Sequence, residues 1–579
     1  MLWHSTVVIL QRIIKMRETA SNNGYSRVKK KESGSFFTPS VIADFLAAKI
    51  LEFNYNCKNL NILDPATGDS ALLLSIKSLL DFKNISYTFV GIDTDIAAIQ
   101  NSKALIPNNS FFIETDALYP FGLKNWSGVS TFTNIELYDI ICSNPPWGAS
   151  LEKYCSLKKD FKLAKGQFDI YDLFVETIFH QLKEGGVYGI ILPDSIYSTE
   201  HKRTRNLIFN KTSVKVVLKL GEGFFEGVYT SASVIIGVKE TPKESNLISC
   251  YHINREERNQ IICGDKSLLE IFNSQSYQIA QDEAINNRTD SLNIFVDSEN
   301  KAVFNKISSM PLLGDYVNIF RGVELSKKGN IIQCPHCKKW QPEPRGKKNN
   351  AFCNYCSQEF NIKTQKSIVY LQPKAGCSKL IVGEDIDRYG FSKYHYIELN
   401  IDGINYKSSS IYQPPKILVR KTGVGITANI DYDNSFTNQV VYLVRPISNK
   451  DIPIETILAI INSRIITYYL IKAYGHNEWQ SHPYISQSII KNIPFPSISI
   501  LNPSFNNRVQ RIKRYVTQIS KNGLTDILDA KIEIEVAYLF GLTKDDIAHI
   551  LDGIKATQQL IPFKRLLNDK VIDYIIHGL

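Results

Sequence analysis

Asn144-Pro145-Pro146-Trp147 brings together an amide, two prolines and an indole in four consecutive positions. The prolines carry no backbone N–H, and Pro146 drives residue 145 toward extended geometry. The loop therefore offers carbonyl oxygens, the Asn144 amide and the Trp147 ring, with few donors. Such a site suits a flat ligand carrying an NH2 group, with acceptors for its two hydrogens and a ring to stack on. A rigid turn capping a strand accounts for the same residues, so the surrounding elements must decide.

Upstream, the apolar run Ile140 to Cys142 reads as a buried strand of a parallel sheet. Ligands of open α/β sheets bind at the carboxyl ends of strands, which is where Asn144 falls. Leu60 to Asp64 is an earlier strand, followed by the tight loop Pro65-Ala66-Thr67-Gly68-Asp69-Ser70 and a helix opening at Ala71. This is the first strand-to-helix turn of a nucleotide-type fold, without GxGxxG and without a P-loop Gly-Lys-Ser/Thr. Asp64 stands where a phosphate cradle would be. A carboxylate repels phosphate and balances a cation, so the cofactor expected is charged and phosphate-free. Asp93 ends the strand Thr88 to Asp93, where a ribose diol finds its acceptor. Asp116 closes a third strand starting at Ser110. Before all of these, Thr38-Pro39 reads as an N-cap with proline at the first helical position.

The second half carries a different chemistry. Cys334-x-x-Cys337 and Cys353-x-x-Cys356 are separated by 15 residues. Two such pairs at this spacing predict a zinc ribbon, whose four thiolates close a structural tetrahedral site. His336 could replace one ligand. The linker from Lys338 to Lys348 is basic with Trp340 in it, a composition suited to phosphate contacts. The alternating strand from Pro415 offers Lys416, Arg420 and Lys421 for the same purpose. Ile457 to Ile471 reads as a helix, followed by the polar-aromatic run Tyr474 to Gln480, which suits base contact or packing alike.

The strand-end acids followed by Asn144-Pro145-Pro146-Trp147 resemble an S-adenosylmethionine-dependent amino-methyltransferase of the gamma class, similar to the TaqI-type DNA adenine methyltransferases. The resemblance implies that Phe37, Thr38 and Pro39 contact the methionine end of the cofactor. It implies that Asp64, Pro65, Ala66 and Gly68 line that end, that Asp93 holds the ribose and that Asp116 contacts adenine. Asn144, Pro145, Pro146 and Trp147 are then catalytic, with Asn144 also beside the cofactor. Phe225, with Phe224 next to it, is the aromatic expected on the flipped base. Ser70 departs from the family, which often has a second glycine there. Leu380 to Tyr389, Pro415 to Gly423 and Ile493 to Pro496 resemble the family's specificity domain.

The expected architecture is α/β: a Rossmann-like methyltransferase sheet, plus a C-terminal mixed α+β target-recognition domain carrying the ribbon. The expected divisions are a flexible arm over 1–33, a catalytic domain over 34–242, a recognition domain over 243–505 with the ribbon at 331–360, and a helical segment over 506–579. Residues 1–15 read as a mis-assigned start or a loose arm. Lys+Arg exceed Asp+Glu by ten (67 against 57), which favours a polyanionic partner. Ten cysteines, six of them scattered, fit a reducing cytoplasmic compartment better than a disulfide framework. No apolar run reaches the roughly 18 residues of a membrane span. The resemblance implies methyl transfer to adenine N6 in double-stranded DNA by a monomer, with a restriction endonuclease, where there is one, on another chain. N4-cytosine methylation and a non-catalytic specificity module are the alternatives.

Overall fold

The computed structural model describes every residue except 1–36, 55–57, 124, 149–150, 152–153, 155–158, 167, 226–230, 287–290, 345–348, 424, 448–451, 476–484, 498–502, 556 and 558–563. The expected N-terminal arm and the run His476 to Gln480 lie outside the described residues. The chain divides into two compact units, Met1–Ser298 and Glu299–Leu579.

The first unit alternates helices and strands: α1 (Ser40–Phe53), β1 (Leu60–Asp64), α2 (Ala71–Lys83), β2 (Tyr87–Asp93), α3 (Ile96–Leu105), β3 (Ser110–Glu114), α4 (Ser127–Thr133), β4 (Tyr138–Ser143), α5 (Ile170–Gln181), β5 (Leu182–Pro193), α6 (Lys202–Lys211), β6 (Ser213–Gly221) and β7 (Ala232–Val238). β8 (Leu247–His252), α7 (Arg255–Ile262), α8 (Leu268–Gln275), β9 (Tyr277–Ala280) and α9 (Gln281–Ile285) follow. The nine strands form one sheet in the order β3-β2-β1-β4-β5-β7-β6-β8-β9. β1 to β5 are parallel, and β7 lies antiparallel between β5 and β6. Every residue of β4 is buried, as a strand covered on both faces requires, and the Asp139 within it pairs with Lys183 at 2.8 Å. Ile140 and Ile141 each contribute about 1.5–3 kcal/mol by that burial. Gly189 in β5 is what admits α1 to the sheet: a Cβ there would lie 2.6 Å from Ile50 Cδ1 and 3.1 Å from Leu46 Cδ2.

Two expectations change here. Pro39, not Thr38, is the N-cap of α1, and its carbonyl accepts from Ile42 and Ala43. The Thr38 hydroxyl is used elsewhere, as described below. The break expected at 242/243 does not end the first unit. The Asn, Ser and Lys content rises there, yet Ile248 and Cys250 of β8 are buried, and β8 and β9 extend the sheet.

In the second unit, the strands Val317–Arg321, Val441–Pro446, Lys416–Arg420 and Ala428–Asp431 form one sheet. A second sheet orders Val369–Tyr370, His395–Glu398, Cys377–Ile381 and Phe436–Thr437. The helix expected from Ile457 to Ile471 is two helices, Ile454–Ile461 and Arg464–Tyr474, bent by 53°. Tertiary hydrogen bonds cause the break. Asn462 accepts from Ala428 N at 3.1 Å and donates to Ala428 O at 2.9 Å, while Ser463 caps the second helix by accepting from Ile466 N. Both helices share one core with Pro503–Asn522, Asp526–Leu539, Lys544–Lys555 and Asp569–Gly578, so the C-terminal helices pack as part of this unit. Arg464 sits inside that core, 1% exposed, against Asp529 at 2.9 Å and Glu533 at 3.0 Å. Among the described residues no single helix is long and apolar enough to cross a membrane.

Candidate active site

The parallel register sets the carboxyl ends of the first strands level: Asp64 pairs with Gly91, and Asp93 with Glu114. Asp64, the last residue of β1, is buried, and its Oδ1 accepts from Ala66 N at 3.0 Å as the chain turns through Pro65 to Gly68. Asp93 ends β2. Its Oδ2 accepts from Gly68 N at 2.9 Å and its Oδ1 from Asp95 N at 2.9 Å, so one carboxylate ties two strand-to-helix turns together. Gly68 takes a left-handed φ of +50° with open space where a side chain would stand.

Ser70 explains the glycine of the resembled family. Its φ is +64°, a region that costs a side-chain-bearing residue about 1–2 kcal/mol. The hydroxyl offsets this by donating to Ser102 Oγ at 2.7 Å and lying 3.3 Å from Thr67 Oγ1, all buried. The serine hydroxyl thus points toward Ser102 of α3.

Burial raises the carboxyls of this edge. Burial drives the Asp64 carboxyl well above its ordinary range, the Ala66 N–H opposes this, and the charges of Asp93 and Asp69 add to it. Burial raises Asp93 as well, against the N–H groups of Asp95 and Gly68. A ligand with a positive centre relieves this stack of negative charge, which is the fit expected for a sulfonium cofactor with an amino-acid tail. Asp116 lies two residues past the end of β3 rather than in it. Its Oδ1 accepts from Leu118 N at 3.0 Å and its Oδ2 from Tyr154 OH at 3.0 Å. Burial first, and then the Asp116 charge, push the Tyr154 phenol above its usual pKa.

The Asn144 loop leaves β4 directly and is held from both sides. Asn144 Nδ2 donates to Thr38 Oγ1 at 3.0 Å, across 106 residues of sequence, which presents Oδ1 as the amide's acceptor pole. Gly148, with φ of +63°, donates its N–H to both carboxylate oxygens of Asp169 at 3.1 Å. Trp147 is buried and meets Phe225 edge to face, centroids 5.3 Å apart at 76°. Phe224 is buried beside them. Phe37, Thr38 and Pro39 precede α1, and Phe37 is 47% exposed. Thr38 thus reaches Asn144 itself, a contact that motif reading did not anticipate. Asp169 and Tyr154 were missed as well. The Asp169-x-x-Asp172 spacing of a capping box was the one available signal.

Cys334, Cys337, Cys353 and Cys356 form a separate cluster in the second unit, with all four sulfurs within 4.8 Å of one another. Cys334 Sγ lies 3.7 Å from Cys356 Sγ, and Cys337 Sγ 3.5 Å from Cys353 Sγ. A tetrahedron with metal–sulfur bonds of about 2.3 Å has edges of about 3.8 Å, whereas a disulfide closes to about 2.05 Å. Cys353 Sγ accepts from the N–H groups of Tyr355 at 3.4 Å and Cys356 at 3.5 Å, which favours a thiolate. The Asn330–Gln333, Trp340–Pro342, Asn350–Phe352 and Glu359–Asn361 strands frame the cluster, and Gln341 bolts them together through Phe352 O and Asn354 N. Of the basic residues read as phosphate contacts, Lys416 is not available. It is wholly buried and bonded to Asp431 Oδ2 and Asp433 O, both at 2.7 Å.

Strand order, strand-end carboxylates and the Asn-Pro-Pro-Trp loop define an S-adenosylmethionine-dependent methyltransferase fold. Residues 22–300 match the N-6 DNA Methylase family, and residues 378–495 match the TaqI-like C-terminal specificity domain. The chain thus carries an N-6 DNA Methylase domain followed by a TaqI-like C-terminal specificity domain. It is 28% identical over 236 residues to the Type II methyltransferase M.BanIII of Aneurinibacillus aneurinilyticus, covering 37% of this chain and 40% of that one. It is 26% identical over 251 residues to M.VspI of Vibrio sp. (strain 343), covering 42% and 57%. The matches thus span about half the length of these relatives. The solved structure of the Type IIL restriction-modification enzyme MmeI in complex with DNA superposes with a TM-score of 0.54 at 12% identity, over 93% of this chain and 80% of that one.

Proposed function

We propose that the protein methylates adenine N6 at a specific site in double-stranded DNA, as the modifying activity of a restriction-modification system. The observation that carries this reading is the Asn144 amide at the carboxyl end of β4, whose Nδ2 donates to Thr38 Oγ1 so that Oδ1 is its acceptor pole. The N6 lone pair of adenine is delocalised into the ring, so the amine is a poor nucleophile. Accepting its two hydrogens at Asn144 Oδ1 and Pro145 O localises that pair, and both bonds strengthen as positive charge builds on nitrogen. The base reaches this site by leaving the helix stack, at a cost of a few kcal/mol that Trp147 and Phe225 offset by packing on it.

When bound, S-adenosylmethionine supplies an electrophilic methyl group on a sulfonium. Asp64, with Phe37, Pro39, Pro65, Ala66 and Gly68, would hold its methionine end, Asp93 its ribose and Asp116 its adenine. The four cysteines would hold one structural Zn2+, tying the ribbon hairpins together and leaving no open position for chemistry. The second unit, with the TaqI-like domain, selects the sequence. Incubating the purified protein with duplex DNA and methyl-labelled cofactor, then separating the nucleosides, tests the reading. N6-methyl-2′-deoxyadenosine is the expected product; N4-methyl-2′-deoxycytidine or no transfer overturns it.

A further inference from the structure

We propose that Asp169 is a positioning residue that latches the catalytic loop, and that a buried Asp172–His201–Thr204 cluster behind it sets the latch. Pro145 and Pro146 have no N–H, so the loop has few backbone donors by which the fold can hold it. Gly148 is one of them, and its N–H meets both oxygens of Asp169. Together with the Thr38 bond to Asn144, this clamps the loop on both sides of its prolines.

Asp169 is held in turn. It is the N-cap of α5, with its Oδ1 accepting from Ile170 N at 2.6 Å and its own N–H donating to Asp172 Oδ2 at 2.7 Å. Asp172 is buried. It accepts from Thr204 Oγ1 at 2.5 Å and faces His201 Nδ1 at 3.0 Å. His201 packs on the Tyr171 ring, centroids 5.0 Å apart, and Tyr171 OH lies 3.1 Å from Ser195 Oγ beyond β5. A contiguous chain of hydrogen bonds thus runs from α6 through the start of α5 to Gly148. Its effect on Asn144 and Trp147 is one of placement, and displacement of a reacting group by about 1 Å costs about 100-fold in rate.

The kinetic arm of the test rests on the proposed methyl transfer, and the exchange arm does not. Asp169→Ala is expected to lower the single-turnover rate about 100-fold, with KM for DNA and cofactor affinity unchanged. Asp169→Asn keeps an oxygen for the Gly148 N–H and is expected to recover most of the rate, although the charge is gone. Hydrogen–deuterium exchange at the Trp147 and Gly148 amides is expected to speed up in Asp169→Ala and stay slow in Asp169→Asn. Full rate and unchanged exchange in Asp169→Ala overturn the latch, as does an Asp169→Asn variant that is folded but as slow as the alanine. A wild-type protein that methylates no DNA counts against the proposed function alone, and exchange then decides on the latch.

Discussion

Thr38→Val removes one oxygen and little else, because the two side chains share a shape. The hydroxyl it deletes is the acceptor for Asn144 Nδ2 at 3.0 Å. The amide then loses its bond to Thr38, and a half-buried donor loses an acceptor. Such a loss costs about 1–3 kcal/mol. If the Asn144 acceptor is needed chiefly in the transition state, that cost appears in turnover, at one decade per 1.36 kcal/mol. The expected result is a kcat lower by about 5- to 150-fold, with cofactor affinity within a few-fold of wild type and activity restored by Thr38→Ser. Single-turnover methylation and titration calorimetry measure the two quantities separately. A Thr38→Val protein with normal kcat but weakened cofactor binding would refute the reasoning, since Thr38 would then serve the cofactor and not Asn144.

Three further outcomes follow from particular residues. Cys334→Ser should lose one zinc per chain in metal analysis, and unchanged metal content would count against the ribbon. The raised pKa of Asp64 means that a cationic cofactor favours its ionised form. Affinity should therefore weaken as pH falls through that pKa, by up to about tenfold per pH unit, with proton release seen in calorimetry across buffers; Asp64→Asn should bind weakly and lose the pH dependence. Arg464→Met strips a cation from Asp529 and Glu533 inside the helical core and should cost about 3–5 kcal/mol in denaturant unfolding. Burial favours a neutral Asp529, but Arg388 and Arg464 hold it ionised and far below the usual range. Its contribution to stability is therefore present above about pH 3.9 and lost only as pH drops through the lowered value.

The part of this site legible in the sequence is the part written in short runs. Asp64, Asp93 and Asn144 each end or follow an apolar strand, and strand ends of a parallel sheet converge on one edge. The two CxxC pairs are local too, and their sulfurs meet as the spacing implies. What escaped the sequence depends on partners far along the chain. Thr38 looked like a helix cap because capping is a local habit of threonine, yet its hydroxyl finds Asn144. Lys416 looked available on an alternating strand, but Asp431 of the neighbouring strand takes it inside. The helix from Ile457 breaks because Asn462 bonds to Ala428, and no helical propensity records that. Composition shifts near residue 243, but the sheet keeps adding strands because β8 still has an apolar face to bury.

Asn144 and its loop carry the central claim, and the methylation pattern of DNA in a cell expressing the protein tests it most directly. Long-read sequencing of DNA from a host without adenine methylation of its own gives base, position and sequence context at once. N6-methyladenine at one recurring sequence, absent when Asn144→Ala is expressed as a folded, cofactor-binding protein, is the expected result. Modified cytosine, or the same adenine marks from the Asn144→Ala protein, would contradict it.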